Sequence, residues 1–257
     1  MTFKKVIIPL PNYGFDPTET AIPWHFLNKS GCVVSFATPS GIKAQADKIM
    51  LTGNGLGIFK HILKARQDAV EAYYEMEKSN EFCSPLKYAD LLEEDFDAIL
   101  LPGGHDKGVK EYLESSNLQK CIVDFFNANK PVAAICHGVI LVARSINPST
   151  NKSVLYNYKT TALLASQELL AYNMTRRWLG DYYLTYPGIT VQKEVEGVLL
   201  SKSNFLSGTT PLFRDDISHL NRGFTVRDRN YLSARWPGDV YRFSTEFIKM
   251  LSETGKH

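Results

Sequence analysis

A cysteine at the end of an apolar run is the residue best placed to do chemistry in this chain. Ala133-Ala-Ile-Cys136-His137-Gly138 reads as a buried strand ending on Cys136, and the helical stretch His137-Gly-Val-Ile-Leu-Val-Ala-Arg144 begins at once. A sharp strand-to-helix turn lifts the side chain at its apex out of the sheet, and Gly138 leaves room for the bend. A thiol placed there sits at a helix N-terminus, where the dipole and free N–H groups favour the thiolate. Adjacent His137 could serve as base or ion-pair partner. The competing reading makes Cys136 a small buried core residue, the commonest fate of a free cysteine.

Two further stretches end strands in the same way. Leu100-Leu-Pro-Gly103-Gly104-His105 runs from an apolar strand into a double glycine, which permits a backbone N–H to turn toward a ligand. That N–H at Gly104 and one from the Cys136–His137 turn would stabilise an oxyanion in an enzyme that attacks carbonyls; the alternative is a plain left-handed turn. Glu19, in Asp16-Pro-Thr-Glu-Thr-Ala-Ile-Pro23, follows the first strand and so also lies at a carboxyl end of the sheet, where open parallel sheets bind ligands. An acidic residue in the first turn of a helix is an equally ordinary explanation for it.

Other patterns carry less. Gly53-Asn-Gly55-Leu-Gly57 lacks the spacing of a dinucleotide cradle and reads as a loop, and no P-loop occurs. The 6 histidines show neither HExxH nor a paired cysteine spacing, so no metal and no cofactor is expected. Arg176-Arg177-Trp178 and Arg227-Asp-Arg229 read as solvated faces or ion pairs. The aromatic run Trp178-Leu-Gly-Asp-Tyr182-Tyr183 is left to line either the site or a subunit interface.

The elements that must position these residues follow from hydrophobic runs. Val6-Ile-Ile, Cys32-Val-Val-Ser-Phe-Ala, Asp97-Ala-Ile-Leu-Leu and Pro131-Val-Ala-Ala-Ile are buried-strand candidates. Helical patterns from about Thr18 to a stop at Gly31, and from Leu118 to Asn129, alternate with them, which indicates βαβ units and a parallel sheet. Tyr231-Leu-Ser-Ala and a helix to about Ser252 look like a last strand and closing helix. Two long excursions interrupt this frame, at about 41–85 and 153–222. The first carries Ile58, Phe59, Ile62, Leu63, Ala69, Val70 and Tyr73 at helical spacing, and the second a helical pattern from Thr161 to Tyr183.

At 257 residues the chain is long for one compact α/β unit, yet the strands that bear Glu19, Gly104 and Cys136 account for a single sheet, so 1–257 is read as one domain with two insertions. The 29 basic and 27 acidic residues leave a formal charge of +2, too near balance for a nucleic-acid binder. No stretch approaches the roughly 18 apolar residues of a membrane helix. The 4 cysteines are far apart without CxxC spacing, so a reducing cytoplasm is the expected setting.

Taken together, Glu19-Thr-Ala-Ile-Pro, Leu100-Leu-Pro-Gly-Gly, Ala134-Ile-Cys-His-Gly and Asn230-Tyr-Leu-Ser-Ala-Arg-Trp-Pro-Gly238 resemble the ThiJ/PfpI superfamily of the class I glutamine amidotransferase-like fold. The resemblance implies a flavodoxin-like three-layer α/β sandwich with a mostly parallel central sheet and helical insertions. It also implies Cys136 as reactive nucleophile, Glu19 hydrogen-bonded to its sulfur, oxyanion donors from the backbone of Gly104 and His137, and a homodimer or higher homo-oligomer. Two departures narrow the activity. No late His-x-Glu pair follows Cys136 (His219 precedes Leu220-Asn221), which disfavours glutaminase chemistry. The stretch Ser153 to Thr161 lacks the aspartate that completes a Cys–His–Asp triad in the glyoxalase III and chaperone branch, leaving Asp181 or an acid from a neighbouring subunit as orienting acid. The expected activity is cysteine-dependent conversion of a small reactive carbonyl, such as methylglyoxal, to a 2-hydroxy acid. A cysteine hydrolase and a non-enzymatic redox sensor or chaperone are the alternatives, since one reactive thiol serves all three.

Overall fold

The computed structural model describes residues 3–254. Seven strands, β1 (Lys5–Pro9), β2 (Val33–Thr38), β3 (Leu86–Lys87), β4 (Ala98–Leu101), β5 (Val132–Ile135), β6 (Thr225–Asp228) and β7 (Tyr231–Ala234), form one sheet in the order β6-β7-β5-β4-β1-β2-β3. Every pairing is parallel except β6 with β7. β4 and β5 are buried along their whole length, as near-continuous apolar runs in a parallel sheet must be.

The helices that matter for the site are α1 (Pro17–Lys29), α2 (Lys48–Thr52), α3 (Lys60–Leu63), α4 (Gln67–Met76), α5 (Ser116–Asn127), α6 (Gly138–Arg144), α7 (Ala165–Leu179), α8 (Val191–Val198) and α9 (Val240–Glu253). α1 packs on α4 and α9, and α6 packs on α5 and α8, so the sheet is sandwiched between two helical groups in a flavodoxin-like α/β arrangement. No helix among the described residues is long and apolar enough to cross a membrane. From β1 the chain goes first to β2 and β3 on one side and then to β4 on the other. The carboxyl ends of β1 and β4 therefore flank the point where strand order reverses, and Glu19, Gly104 and Cys136 all follow strands at this end.

Several elements differ from the sequence expectation. The helical pattern across Ile58–Tyr73 is broken: α3 stops at Leu63, Lys64 turns extended, and α4 starts afresh at Gln67. The break is fixed from outside, because Ala65 donates its N–H to the Met50 carbonyl at 2.8 Å and the Arg214 guanidinium takes up the carbonyls of Ile62, Leu63 and Lys64. Ile58 and Ile62 are consequently exposed rather than on a buried stripe. The helix expected from Thr161 to Tyr183 spans only Ala165–Leu179 and ends where Gly180 takes a positive φ. β3 is too short, and β6 (Thr-Val-Arg-Asp) too polar, to show an apolar run.

The two excursions meet each other. Met50 and Leu56 of the first form a small buried cluster with Tyr182 and Tyr183 of the second. Asp47, which caps α2 through the N–H groups of Ile49 and Met50, also accepts the Tyr182 hydroxyl. Trp178 donates Nε1–H to the Gly55 carbonyl at 2.7 Å and stacks on Phe59. Gly53, Gly55 and Gly57 all take positive φ, so this stretch is a tight loop whose buried Leu56 anchors the contact.

Candidate active site

Cys136 closes β5 with φ of 58°, a left-handed conformation that costs a non-glycine residue about 1–3 kcal/mol. The turn is held from both flanks: Cys136 N–H bonds the Ala234 carbonyl of β7 at 3.1 Å, and α6 starts immediately with Ile140 N–H on the His137 carbonyl at 2.9 Å. Gly138 is required because a Cβ there would strike the Leu101 carbonyl of β4. The strained strand-to-helix elbow read from the sequence is thus formed, with α6 pressed against the neighbouring strand.

The double glycine after β4 serves space rather than a left-handed turn. A Cβ on Gly103 would lie 2.7 Å from His137 N, 2.8 Å from Glu19 Oε2 and 3.0 Å from Cys136 Cβ. Gly103 N–H donates to Glu19 Oε2 at 2.9 Å, so this amide is committed to positioning the carboxyl. The Gly104 amide has no hydrogen-bond acceptor among the described residues, and the His137 amide faces the Cys136 sulfur. Glu19 is in the first turn of α1, whose N-terminus is capped by Asp16 through Thr18 and Glu19 N–H at 2.8 and 3.0 Å. Its other oxygen, Oε1, is buried without a partner.

Cys136 Sγ is 3.4 Å from His137 Nδ1. On its far side the imidazole meets a hydroxyl: His137 Nε2 is 3.1 Å from Thr185 Oγ1, which itself donates to the His105 carbonyl at 3.0 Å. Thr185 has one hydroxyl proton, already given to that carbonyl, so it accepts from Nε2–H and leaves Nδ1 bare toward the thiol. Asp181, the orienting acid expected from the sequence, is not at this position. It is on the exposed side of the Thr185 segment, paired with Lys107 at 3.3 Å. The tight turn after Leu179, with Leu184 N–H on the Asp181 carbonyl, brings Thr185 rather than Asp181 beneath the ring.

His105 and Tyr183 complete the surroundings. The His105 ring packs edge-on against His137 at 5.0 Å and against Tyr183 at 4.9 Å. The sequence singled out neither side chain: Tyr183 lies in the aromatic run left between site and interface, and His105 directly follows the double glycine, the one signal that could have marked it. Among the described residues no three His, Cys, Asp or Glu side chains cluster as metal ligands.

The electrostatics depart from the thiolate expected at a helix N-terminus. Burial, reinforced by the charges of Glu19 and Asp16, pushes the Cys136 thiol well above its ordinary range. Burial and the Asp16 charge likewise hold the Glu19 carboxyl far up, although the Gly103 N–H opposes them. Burial, then His105 and the positive charges of Arg144 and Lys107, keeps His137 well below the usual histidine range, and burial lowers His105 to about 4. Desolvation therefore outweighs the dipole of the short α6, and thiol, imidazole and carboxyl are each pushed toward their neutral forms. A thiol, an imidazole and a carboxyl all pushed toward neutrality suit a reaction that moves protons without net charge.

Residues 10–198 match the model described as ThiJ/PfpI family-like. The chain belongs to the ThiJ/PfpI family. An uncharacterized Schizosaccharomyces pombe protein is 32% identical over 182 residues, covering 66% of this chain and 67% of that one. A glutathione-independent glyoxalase of the same yeast, hsp3102, is 27% identical over 157 residues, with 59% of this chain matched to 60% of that family member. Among solved structures, glyoxalase III from Candida albicans superposes with a TM-score of 0.68 at 16% identity, covering 96% of this chain and 97% of that one, which establishes the shared fold.

Proposed function

We propose that this ThiJ/PfpI family protein is a glutathione-independent glyoxalase-like enzyme that converts a 2-oxoaldehyde to a 2-hydroxy acid through Cys136. The observation that carries the reading is the buried proton-transfer set around one sulfur: bare His137 Nδ1 at 3.4 Å and the Glu19 carboxyl held by Gly103. That relatives of this chain include glutathione-independent glyoxalases adds support.

With methylglyoxal as the example, Sγ adds to the aldehyde carbon C1 while its proton passes to His137 Nδ1. The developing oxyanion is received by the amides of Gly104 and His137 and takes the proton back from His137, giving a neutral hemithioacetal. His137 then removes the hydrogen on C1 as Glu19 gives its proton to the C2 oxygen, forming an enediol. Return of the His137 proton to C2, with Glu19 taking the proton of the C1 hydroxyl, leaves a thioester of the 2-hydroxy acid. Water hydrolyses it and restores the thiol, so the net reaction is hydration with internal redox between adjacent carbons and needs no added oxidant or reductant.

The hydrolase reading lacks its requirement of a carboxylate behind His137, where Thr185 stands. A peroxide sensor needs an exposed thiolate of low pKa, whereas Cys136 is 1% exposed with its thiol pushed up. The deciding measurement is lactate formation from methylglyoxal without glutathione. Wild type should turn over, and Cys136→Ala should lose at least about a thousandfold; no turnover by wild type, or equal turnover by the variant, overturns the proposal.

A further inference from the structure

A cavity of about 330 Å³ adjoins the thiol site, sharing Asp16 and His105 as a wall, and its lining has two characters. Met50, Leu163, Leu170, Ala171 and Met174 make an apolar side. Tyr183, Trp236 and Arg214 line the other side, together with Asp16 and Glu168. The Tyr183 hydroxyl, Trp236 Nε1 and His105 Nδ1 are buried atoms without a hydrogen-bond partner in the protein. Tyr183 and His105 are 3% and 8% exposed, so solvent does not serve them freely. Arg214 donates to the carbonyls of Ile62, Leu63 and Lys64 and forms no salt bridge among the described residues, its main opposing charge being the more distant Asp16.

Buried donors left without acceptors are destabilising, and a desolvated cation held in no salt bridge is more so. Such a set persists where a ligand supplies the missing acceptor. Methylglyoxal is too small to reach it: three carbons at the thiol leave the cavity beyond His105 empty. Resting on the glyoxalase-like reading above, we infer that the preferred substrate is a 2-oxoaldehyde with an aliphatic tail ending in a carboxylate, its dicarbonyl head at Cys136, its methylenes along the Met50–Met174 side and its carboxylate on Arg214, Trp236 and Tyr183. Both excursions build this subsite, Met50 from the first and Tyr183, Arg214 and Met174 from the second, so substrate choice is written in the parts that exceed the common sheet.

The test compares kcat/KM for methylglyoxal, for a six-carbon 2-oxoaldehyde ending in a carboxylate, and for the methyl ester of the latter. The acid should exceed methylglyoxal by about tenfold or more and should exceed its own ester. Tyr183→Phe deletes one unpartnered donor and keeps the ring, Trp236→Phe deletes another and keeps a smaller aromatic ring, and each should lower the ratio of acid to methylglyoxal kcat/KM. An acid no better than methylglyoxal or than its ester, or ratios unmoved in both variants, overturns the inference while leaving the glyoxalase-like reading standing. Should no 2-oxoaldehyde turn over, the reading of the reaction fails, and calorimetry on Cys136→Ser with the unreactive six-carbon methyl-ketone acid decides the subsite. Binding that weakens in Trp236→Phe upholds it, and no binding, or binding unaffected by that change, overturns it.

Discussion

Thr185 Oγ1 accepts the Nε2 proton of His137 at 3.1 Å because its own proton is committed to the His105 carbonyl. A hydroxyl in this place fixes the tautomer of the imidazole without stabilising its charged form, which is consistent with a ring held well below the usual histidine range by burial. Thr185 is thus a positioning residue. Thr185→Val keeps the shape and removes the acceptor, leaving a buried N–H unpaired at a cost of about 1–3 kcal/mol and freeing the wrong tautomer. Methylglyoxal turnover should fall roughly ten- to a hundredfold in kcat, and Thr185→Ser should restore most of it. A valine variant with full kcat, or a serine variant as impaired as the valine, would remove Thr185 from the mechanism.

The state of the thiol is measurable on its own. After burial, the charge that Glu19 carries once it ionises is the largest influence raising the Cys136 thiol. Glu19→Gln removes that charge and can still accept the Gly103 N–H, so the thiol should ionise at lower pH than in wild type. Rates of alkylation by iodoacetamide, followed against pH with mass-spectrometric readout at Cys136, should show the midpoint move down while turnover is lost. A midpoint that stays or rises would mean that Glu19 does not act on the sulfur as an electrostatic neighbour.

The sheet was legible because parallel strands buried on both faces write themselves as apolar runs: Val6–Ile8, Ala98–Leu101 and Val132–Ile135 are all fully covered. Cys136 and Gly138 were legible for a related reason, since an elbow between two such elements needs a residue at its apex and space behind it. What stayed hidden depends on contacts remote in sequence. The end of α3 is set by Ala65 on Met50 and by Arg214, 150 residues from Lys64. Thr185 could not be told from any other threonine until the turn at Asp181–Leu184 put it under His137. The push against the thiolate was hidden because a helix dipole is a local property of the sequence, whereas the burial of Cys136 is built by segments remote from it.

The segment that carries Arg214 is tied down by a buried ion pair. Arg235 and Asp239 are 1% and 0% exposed in their side chains, with Nε on Oδ2 and Nη2 on Oδ1 at 2.8 Å each. The same guanidinium donates to the Ser207 and Thr209 carbonyls, and Asp239 also accepts Phe224 N–H. Arg235→Met leaves Asp239 buried without its cation and should cost about 3–5 kcal/mol by urea denaturation. Adding Asp239→Asn, which retains an acceptor for Phe224, should recover a substantial part of that loss. A single variant within about 1 kcal/mol of wild type, or a double variant no better than the single, would show the pair to be structurally idle.

Glu168 of α7 gives the fold a pH dependence of its own. It is buried and accepts the Val191 N–H at the start of α8 at 2.9 Å, and burial, helped by the Glu194 charge, raises its carboxyl to about 7 from an ordinary 4.5. A carboxyl whose pKa is raised in the folded state binds its proton more tightly there than in the unfolded chain. Its contribution is therefore fully present below the unfolded value and is lost as pH rises through about 7. The ceiling is about 3 kcal/mol from a shift of this size. Asp215, raised to about 7, and Asp47, raised to about 6, act in the same direction. Wild-type unfolding free energy should drop between pH 5 and pH 8, and Glu168→Gln, which keeps an acceptor for Val191, should show a visibly smaller drop. An identical drop in the variant would place the titration elsewhere.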